Sequence, residues 1–185
     1  MHQPEESEYR ERLLDAAAGI IAADGLEGLT AGKLARHVGL GRTVVHYHFG
    51  TMDHLLAALL RRSSAEIRKD IAARFDLSRL GADIWGEYTV SIPAAEAIRA
   101  RALSSSVVAD AYREVFEALQ VMIADMLDEA HRLRSIEPEI PTGVMASIML
   151  MSAQFVGTQR ALGADVGLDA VESYMKSLFA ITTSS

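Results

Sequence analysis

Glycine punctuation in the first fifty residues sets the limits on what this chain can fold into. Gly25, the Gly39-Leu40-Gly41 triplet and Gly50 interrupt a sequence otherwise written in helix-forming residues. Between the breaks, apolar positions recur with helical period. Leu13, Ala17, Ile20 and Ile21 share one face of a first helix expected over residues 7–24, ended by Gly25. Thr30 is a good N-cap for a short second helix over 31–38. A third short helix is expected over 42–49. After Gly50-Thr51 a long fourth one is expected over 52–75, with Leu55, Leu56, Leu59 and Leu60 inward.

The remainder keeps the helical pattern. A segment over 79–91 precedes Pro93, which can open the next helix at its first turn. Ser104–Ser106 is a polar interruption, and a long amphipathic helix is expected over 107–133. Residues 134–141 read as a loop, and two last helices as 142–162 and 168–181, split by Gly163–Gly167. No strand-like alternation and no internal repeat is present. Of the 185 residues, 50% are hydrophobic and only 6% aromatic, so the fold class is all-α, with about nine helices. The expected division is a three-helix N-terminal domain over 1–52 and a helical C-terminal domain over 53–185.

Ala35, Gly39 and Val45 are spaced as a helix-turn-helix requires. The first position must be small for close crossing, the second must turn tightly, and the third fills the shared core. The second helix of such a pair can enter the major groove, about 12 Å wide. Arg42, Thr43 and Val44 would lead it toward base edges. His46, Tyr47 and His48 lie further along, where donors meet phosphates. Thr30 and Lys33 would hold the opposite backbone. The same spacing also fits an ordinary packed helical hairpin.

Charge distribution favours the DNA reading. The net of −7 looks unsuited to nucleic acid, but it is unevenly spread. Residues 1–30 carry a net of −5 and residues 31–62 a net of +4, from Lys33, Arg36, Arg42, Arg61 and Arg62 against Asp53. The rest is acidic.

The stretch LLDAAAGIIAADGLEGLTAGKLARHVGLGRTVVHYHFGTMDHLLAALL, from Leu13 to Leu60, resembles the DNA-binding domain of the tetracycline-repressor (TetR) family. The first helix, the helix-turn-helix and the G-x-x-D-x-L-L opening of helix 4 match in register. The resemblance covers about a quarter of the chain. It implies that Thr30, Lys33, Arg42, Thr43, Val44, Tyr47 and His48 face DNA. Gly41 stands where the family often has serine, Gly32 where it has a basic residue, and His46 where it has tyrosine. Two usual backbone contacts are therefore weakened or changed, and modest affinity for an unusual operator is expected.

Helix 142–162 is apolar nearly all round, which suits burial on two sides. With 168–181 it could form half of an intersubunit four-helix bundle, as TetR relatives do, or serve as a core helix of a monomer. Phe155-Val156-Gly157-Thr158-Gln159 is also similar to the F-x-G-x-Q stretch of γ-butyrolactone-type autoregulator receptors, a TetR subgroup. A tryptophan expected there shortly after Tyr112 is absent, Val115 and Phe116 standing in its place. Trp85, Tyr88, Met122, Met126, Phe155 and Gln159 are the pocket candidates, each equally suited to filling a core.

Other chemistries find little support. There is no cysteine, and the i, i+2 spacing of His46 and His48 sends them to different helix faces, so no metal and no cofactor is expected. Ser104–Ser106 lacks a partnered base, and no catalytic residue is assigned. No apolar run reaches the roughly 20 residues of a membrane span, and the acidic start is unlike a signal peptide. The expectation is a cytoplasmic, non-enzymatic, homodimeric repressor released by a small hydrophobic or amphipathic effector. Its partners are a pseudo-palindromic double-stranded DNA operator, that effector and itself, with no membrane. Two alternatives stay open: a helical carrier or enzyme whose helix-turn-helix is only structural, and a DNA-binding dimer without ligand.

Overall fold

Gly25 takes φ +72° and closes the first helix, its N–H donating to the Ile21 carbonyl (2.9 Å). A side chain would be strained in that conformation. In the computed structural model this helix, α1, spans Gln3–Asp24 and is followed by a 3₁₀ turn over Leu26–Gly28. Residues 3–41, 43–74, 92–135, 137–171 and 173–174 are described. The remaining α-helices are α2 (Ala31–His37), α3 (Thr43–Phe49), α4 (Met52–Arg74), α5 (Ile92–Ala102), α6 (Ser106–Arg134) and α7 (Thr142–Ala161). Helical backbone resumes at residues 168–171 and 173–174. No strand occurs among the described residues, and the all-α class stands.

Two compact units form, and they interleave along the sequence. One comprises residues 1–63 with 90–115, the other 64–89 with 116–185. Two helices, α4 and α6, each begin in the first unit and end in the second.

The first unit is built on an apolar core from all of its helices. Leu13, Leu14, Ile20 and Ile21 of α1 meet Leu34 of α2, Val45 and Phe49 of α3, and Leu55, Leu56 and Leu59 of α4. Ile98 of α5 and Val108 of α6 belong to the same core. Ion pairs join helices over its surface. Arg62 reaches Glu11 (3.1 Å) and Asp15 (2.8 Å) on α1, and Arg61 reaches Glu114 on α6 (2.8 Å).

The second unit has a smaller core: Ile123, Leu127 and Ala130 of α6 against Met145, Ala146 and Met149 of α7. Gln120 on α6 donates to the Gly143 carbonyl (3.2 Å) and to Ser147 Oγ (2.7 Å), tying the start of α7 to α6. The α7 helix ends with the N–H of Ala164 on the Gln159 carbonyl (2.9 Å) and that of Gly163 on Arg160 (3.0 Å). Gly163 is left-handed at φ +71°, the geometry of a Schellman stop.

Candidate nucleic-acid interface

Thr30 sets the start of α2. Its backbone is extended and its hydroxyl oxygen accepts from the Lys33 N–H (3.2 Å), which satisfies one otherwise unpaired donor of the first turn. The end of α2 is equally specific. Leu40 N–H donates to the Ala35 carbonyl (2.9 Å) and Gly39 N–H to Arg36 (3.2 Å), with Gly39 left-handed at φ +71°. This is again a Schellman stop, and only glycine enters it without strain. Arg12 of α1 pins the turn from outside, donating to the Val38 carbonyl (3.1 Å). Ala35 and Val45 are 1% and 0% exposed. The three spaced positions play the parts their residue types suggested.

With Val45 and Phe49 buried, the opposite side of α3 is left to solvent. Thr43 is exposed in its first turn, and Tyr47 is 73% exposed. Val44 is half-buried against the core, so only part of its side chain is free. Exposed His46 closes the helix, its Nδ1 donating to the Gly50 carbonyl (2.7 Å). That bond holds the residue that follows the helix and leaves Nε2 as the ring's remaining polar atom. His48 is half-buried, edge-on to Tyr47 with ring centroids 5.0 Å apart. It lines a cleft of about 450 Å³ with Arg10, Phe49, His54 and Arg61, in which the Arg10 guanidinium sits 5.0 Å over the Phe49 ring. Arg42 lies outside the described residues, as do Trp85 and Tyr88.

Ion pairing revises the charge argument. Lys33 is paired with Asp24, and Arg61 and Arg62 are paired with acids of α6 and α1. A count along the sequence credited these cations to the basic segment, yet folding matches each with an acid from elsewhere. Arg36 is the described cation of residues 31–62 without an acidic partner; its Nε donates to the Gly32 carbonyl (3.3 Å). It is exposed on α2 and was passed over in the sequence, because nothing in the count set it apart from its neighbours.

A second feature had no sequence signal. Asp53, in the first turn of α4, accepts both Nε (2.9 Å) and Nη2 (2.8 Å) of Arg101 on α5, and Ser105 Oγ (2.8 Å). The Arg101 hydrogen bond holds the Asp53 carboxyl below its ordinary range, burial opposing and Ser105 assisting. Ser104–Ser106, read as a helix break, thus also supplies one side of a clasp that fixes the start of α4.

The described pocket candidates of the second unit differ in exposure. Met122, Met126 and Gln159 are half-buried and Phe155 is 56% exposed. Among the described residues no group of three His, Cys, Asp or Glu could hold a metal ion, and no helix is long and apolar enough to cross a membrane.

Comparison with known proteins agrees with this geometry. Residues 13–59 match the family described as bacterial regulatory proteins, tetR family. The regulator BetI of Rhizobium meliloti is 33% identical over 64 residues, covering 35% of this chain and 32% of its own length. The matched stretch therefore spans about a third of that relative. A TetR-family regulator from Rhodococcus sp. superposes with a TM-score of 0.76 at 22% identity, over 96% of this chain and 100% of that one. A regulator from Saccharomonospora viridis in complex with choline gives 0.69 at 17% identity, over 92% and 95% of the two chains. FadR of Bacillus subtilis in complex with stearoyl-CoA gives 0.67 at 14%, over 91% and 96%. At these identities the structures speak for the fold. The family match does not reach residues 155–159, so the likeness to γ-butyrolactone receptors remains an expectation. Residues 13–59 thus match the helix-turn-helix of the bacterial regulatory proteins of the tetR family, and the chain as a whole has the all-helical fold of solved TetR-family regulators.

Proposed function

We propose that the chain is a homodimeric transcriptional repressor that reads a pseudo-palindromic operator and is released by a small hydrophobic or amphipathic effector. The observation that carries the DNA reading is the Ala35–Gly39–Val45 turn with α3 presenting Thr43 and Tyr47 to solvent. In this reading Arg42, Thr43 and Val44 meet base edges, while Thr30, Lys33, His46, Tyr47 and His48 meet the sugar-phosphate backbone. Lys33 must then leave Asp24 or share it.

Dimerisation draws support from α7. Met145, Ala146, Met149 and Val156 are buried on one side, while Val144, Met151 and Phe155 are exposed on the other at helical spacing. An exposed apolar stripe of this kind suits a second copy of the same helix. The neighbours crystallised with choline and with stearoyl-CoA support the presence of an effector site. Those ligands have opposite charge, so they leave its class undecided. α4 and α6 both run from one unit into the other and are the routes by which an effector could act on the recognition helix. A coupling of about 1–3 kcal/mol would lower operator occupancy roughly 5- to 150-fold.

The test is selection of bound sequences from random DNA, followed by footprinting and a salt titration. Two half-sites about 34–36 Å apart and a steep loss of affinity with salt are expected. A single asymmetric half-site overturns the dimer, and affinity insensitive to salt overturns the phosphate contacts. An effector whose affinity is the same with and without saturating operator overturns release, because coupling is reciprocal. That last result would favour a DNA-binding dimer without ligand control.

A further inference from the structure

His46 is an exposed side chain in the last turn of α3, and one bond fixes its chemistry. Its Nδ1 lies 2.7 Å from the Gly50 carbonyl oxygen. A carbonyl only accepts, so Nδ1 carries a hydrogen whether the ring is neutral or charged. In the neutral ring Nε2 is then a bare lone pair, an acceptor and nothing else. It becomes a donor only when the ring takes up a second proton. The neighbouring histidines are not fixed in this way. His54 Nδ1 lies 2.8 Å from the Thr51 hydroxyl, which can give or accept, so either ring nitrogen of His54 can hold the hydrogen. His48 meets Tyr47 edge-on.

The difference matters to a polyanion. A phosphodiester oxygen accepts hydrogen bonds and donates none, and it is charged throughout the neutral range. Neutral His46 would set acceptor against acceptor, whereas the imidazolium offers an N–H and a charge together. We propose that His46 meets the DNA backbone only as the imidazolium, so that each protomer binds a proton at this ring when it binds its operator. This rests on the reading of α3 as the recognition helix and adds a regulation of the same site. Affinity is fully present in mild acid and is lost as pH rises through the range in which histidine gives up its charge.

The charged groups around α3 are engaged elsewhere. The α1, α2 and α4 helices meet it in the core. On α4, Asp53 is held by Arg101 and Ser105, and Arg61 and Arg62 by acids. On α1, Arg10 lies over Phe49 and beside Glu11, and Arg12 donates to the Val38 carbonyl. On α2, Lys33 is paired with Asp24, and Arg36 donates to the Gly32 carbonyl. Arg42, four residues before His46, lies outside the described residues. Among the described residues no carboxylate pairs with His46. His37, His48 and His54 are of the same residue type and serve as controls.

The full chain is titrated with a duplex selected from random DNA, at about pH 6 and about pH 8 and at fixed ionic strength. The wild type is expected to lose about tenfold or more in affinity at the higher pH. Its salt slope should be steeper at the lower pH by about 1 per protomer, since one more cation meets a phosphate. Glutamine keeps an N–H donor at every pH, so H46Q should lose most of both differences. Where H46Q fails to fold, as judged by circular dichroism, H46Y carries the test, because its hydroxyl keeps its hydrogen below about pH 10. H37Q, H48Q and H54Q should keep most of the wild-type pH dependence. Equal wild-type affinity at the two pH values overturns the proposal and leaves the repressor reading standing. So does a pH dependence that survives in H46Q and H46Y. A chain that selects no DNA at either pH overturns the reading of α3 and the proposal with it.

Discussion

The two units differ in what their buried cores are made of. In the first, every buried side chain of the core is apolar, and cross-helix pairs such as Arg62 with Glu11 and Asp15 and Arg101 with Asp53 lock the helices from outside. In the second, the core is smaller and rich in methionine and alanine, and the interior holds unpaired Ser64 and His131. There Glu129 pairs with Arg132 and Arg160 with Asp169, partners three and nine residues apart in sequence. A recognition helix needs a fixed platform, since a displacement of about 1 Å spoils base contacts. An effector site needs room to repack around a guest. The contrast reads as a division of labour between rigidity and adaptability.

The largest expected effects test that contrast directly. Leu34→Ala removes a side chain that is 0% exposed in the first core and should cost about 3–5 kcal/mol in urea unfolding. Leu127→Ala, facing Met145 and Met149, should fall near 2 kcal/mol because those side chains can close on the gap. Equal costs would break the comparison. Next in size is DNA discrimination. Arg42→Ala should lose about 1–3 kcal/mol of preference for the selected site. Lys33→Ala should weaken all sequences alike, and Asp24→Asn should strengthen them by freeing Lys33 from its partner. An unchanged preference in Arg42→Ala would mean that the recognition helix is misassigned.

Smaller effects sharpen the picture at the helix ends. Thr30→Ala should cost about 1 kcal/mol, with Thr30→Ser restoring most of it. Asp53→Asn should lower Tm by about 2–4 °C at neutral pH. Its carboxyl is held below the ordinary range when folded, so its contribution is complete above about pH 4 and fades as pH falls toward the lowered value. The gap between wild type and Asp53→Asn should therefore close in acid. A gap that widened instead would show that Arg101 does not hold the ionised form.

The first unit was largely legible in the sequence because its signals are local. Thr30 capping, glycine at residues 25 and 39, and the period of Leu13, Ala17 and Ile20 act within a turn or two of chain, and the helix ends fell within a few residues of expectation. The clasp of Asp53 with Arg101 and Ser105 was not legible, since its members lie 48 and 52 residues apart. The pairing that neutralises Lys33, Arg61 and Arg62 was hidden for the same reason. Ser64 and His131 escaped notice because a lone serine or histidine on a helix carries no sign of whether it will be buried. Nor was it legible that the chain crosses between the units within helices twice, in α4 and again in α6.

That second crossing bears on how regulators of this design can be recombined. Because the units interleave, exchanging the second unit for that of another chain needs two junctions within helices, one inside α4 near Ser63 and one inside α6 near Val115. Both fall within continuous helix, where inserting or deleting one residue turns everything downstream by about 100°. A graft one residue out of phase would point Leu127 and His131 away from the interior and bring their neighbours in. Shuffling of second units should therefore succeed only between chains that keep the helical register at both seams.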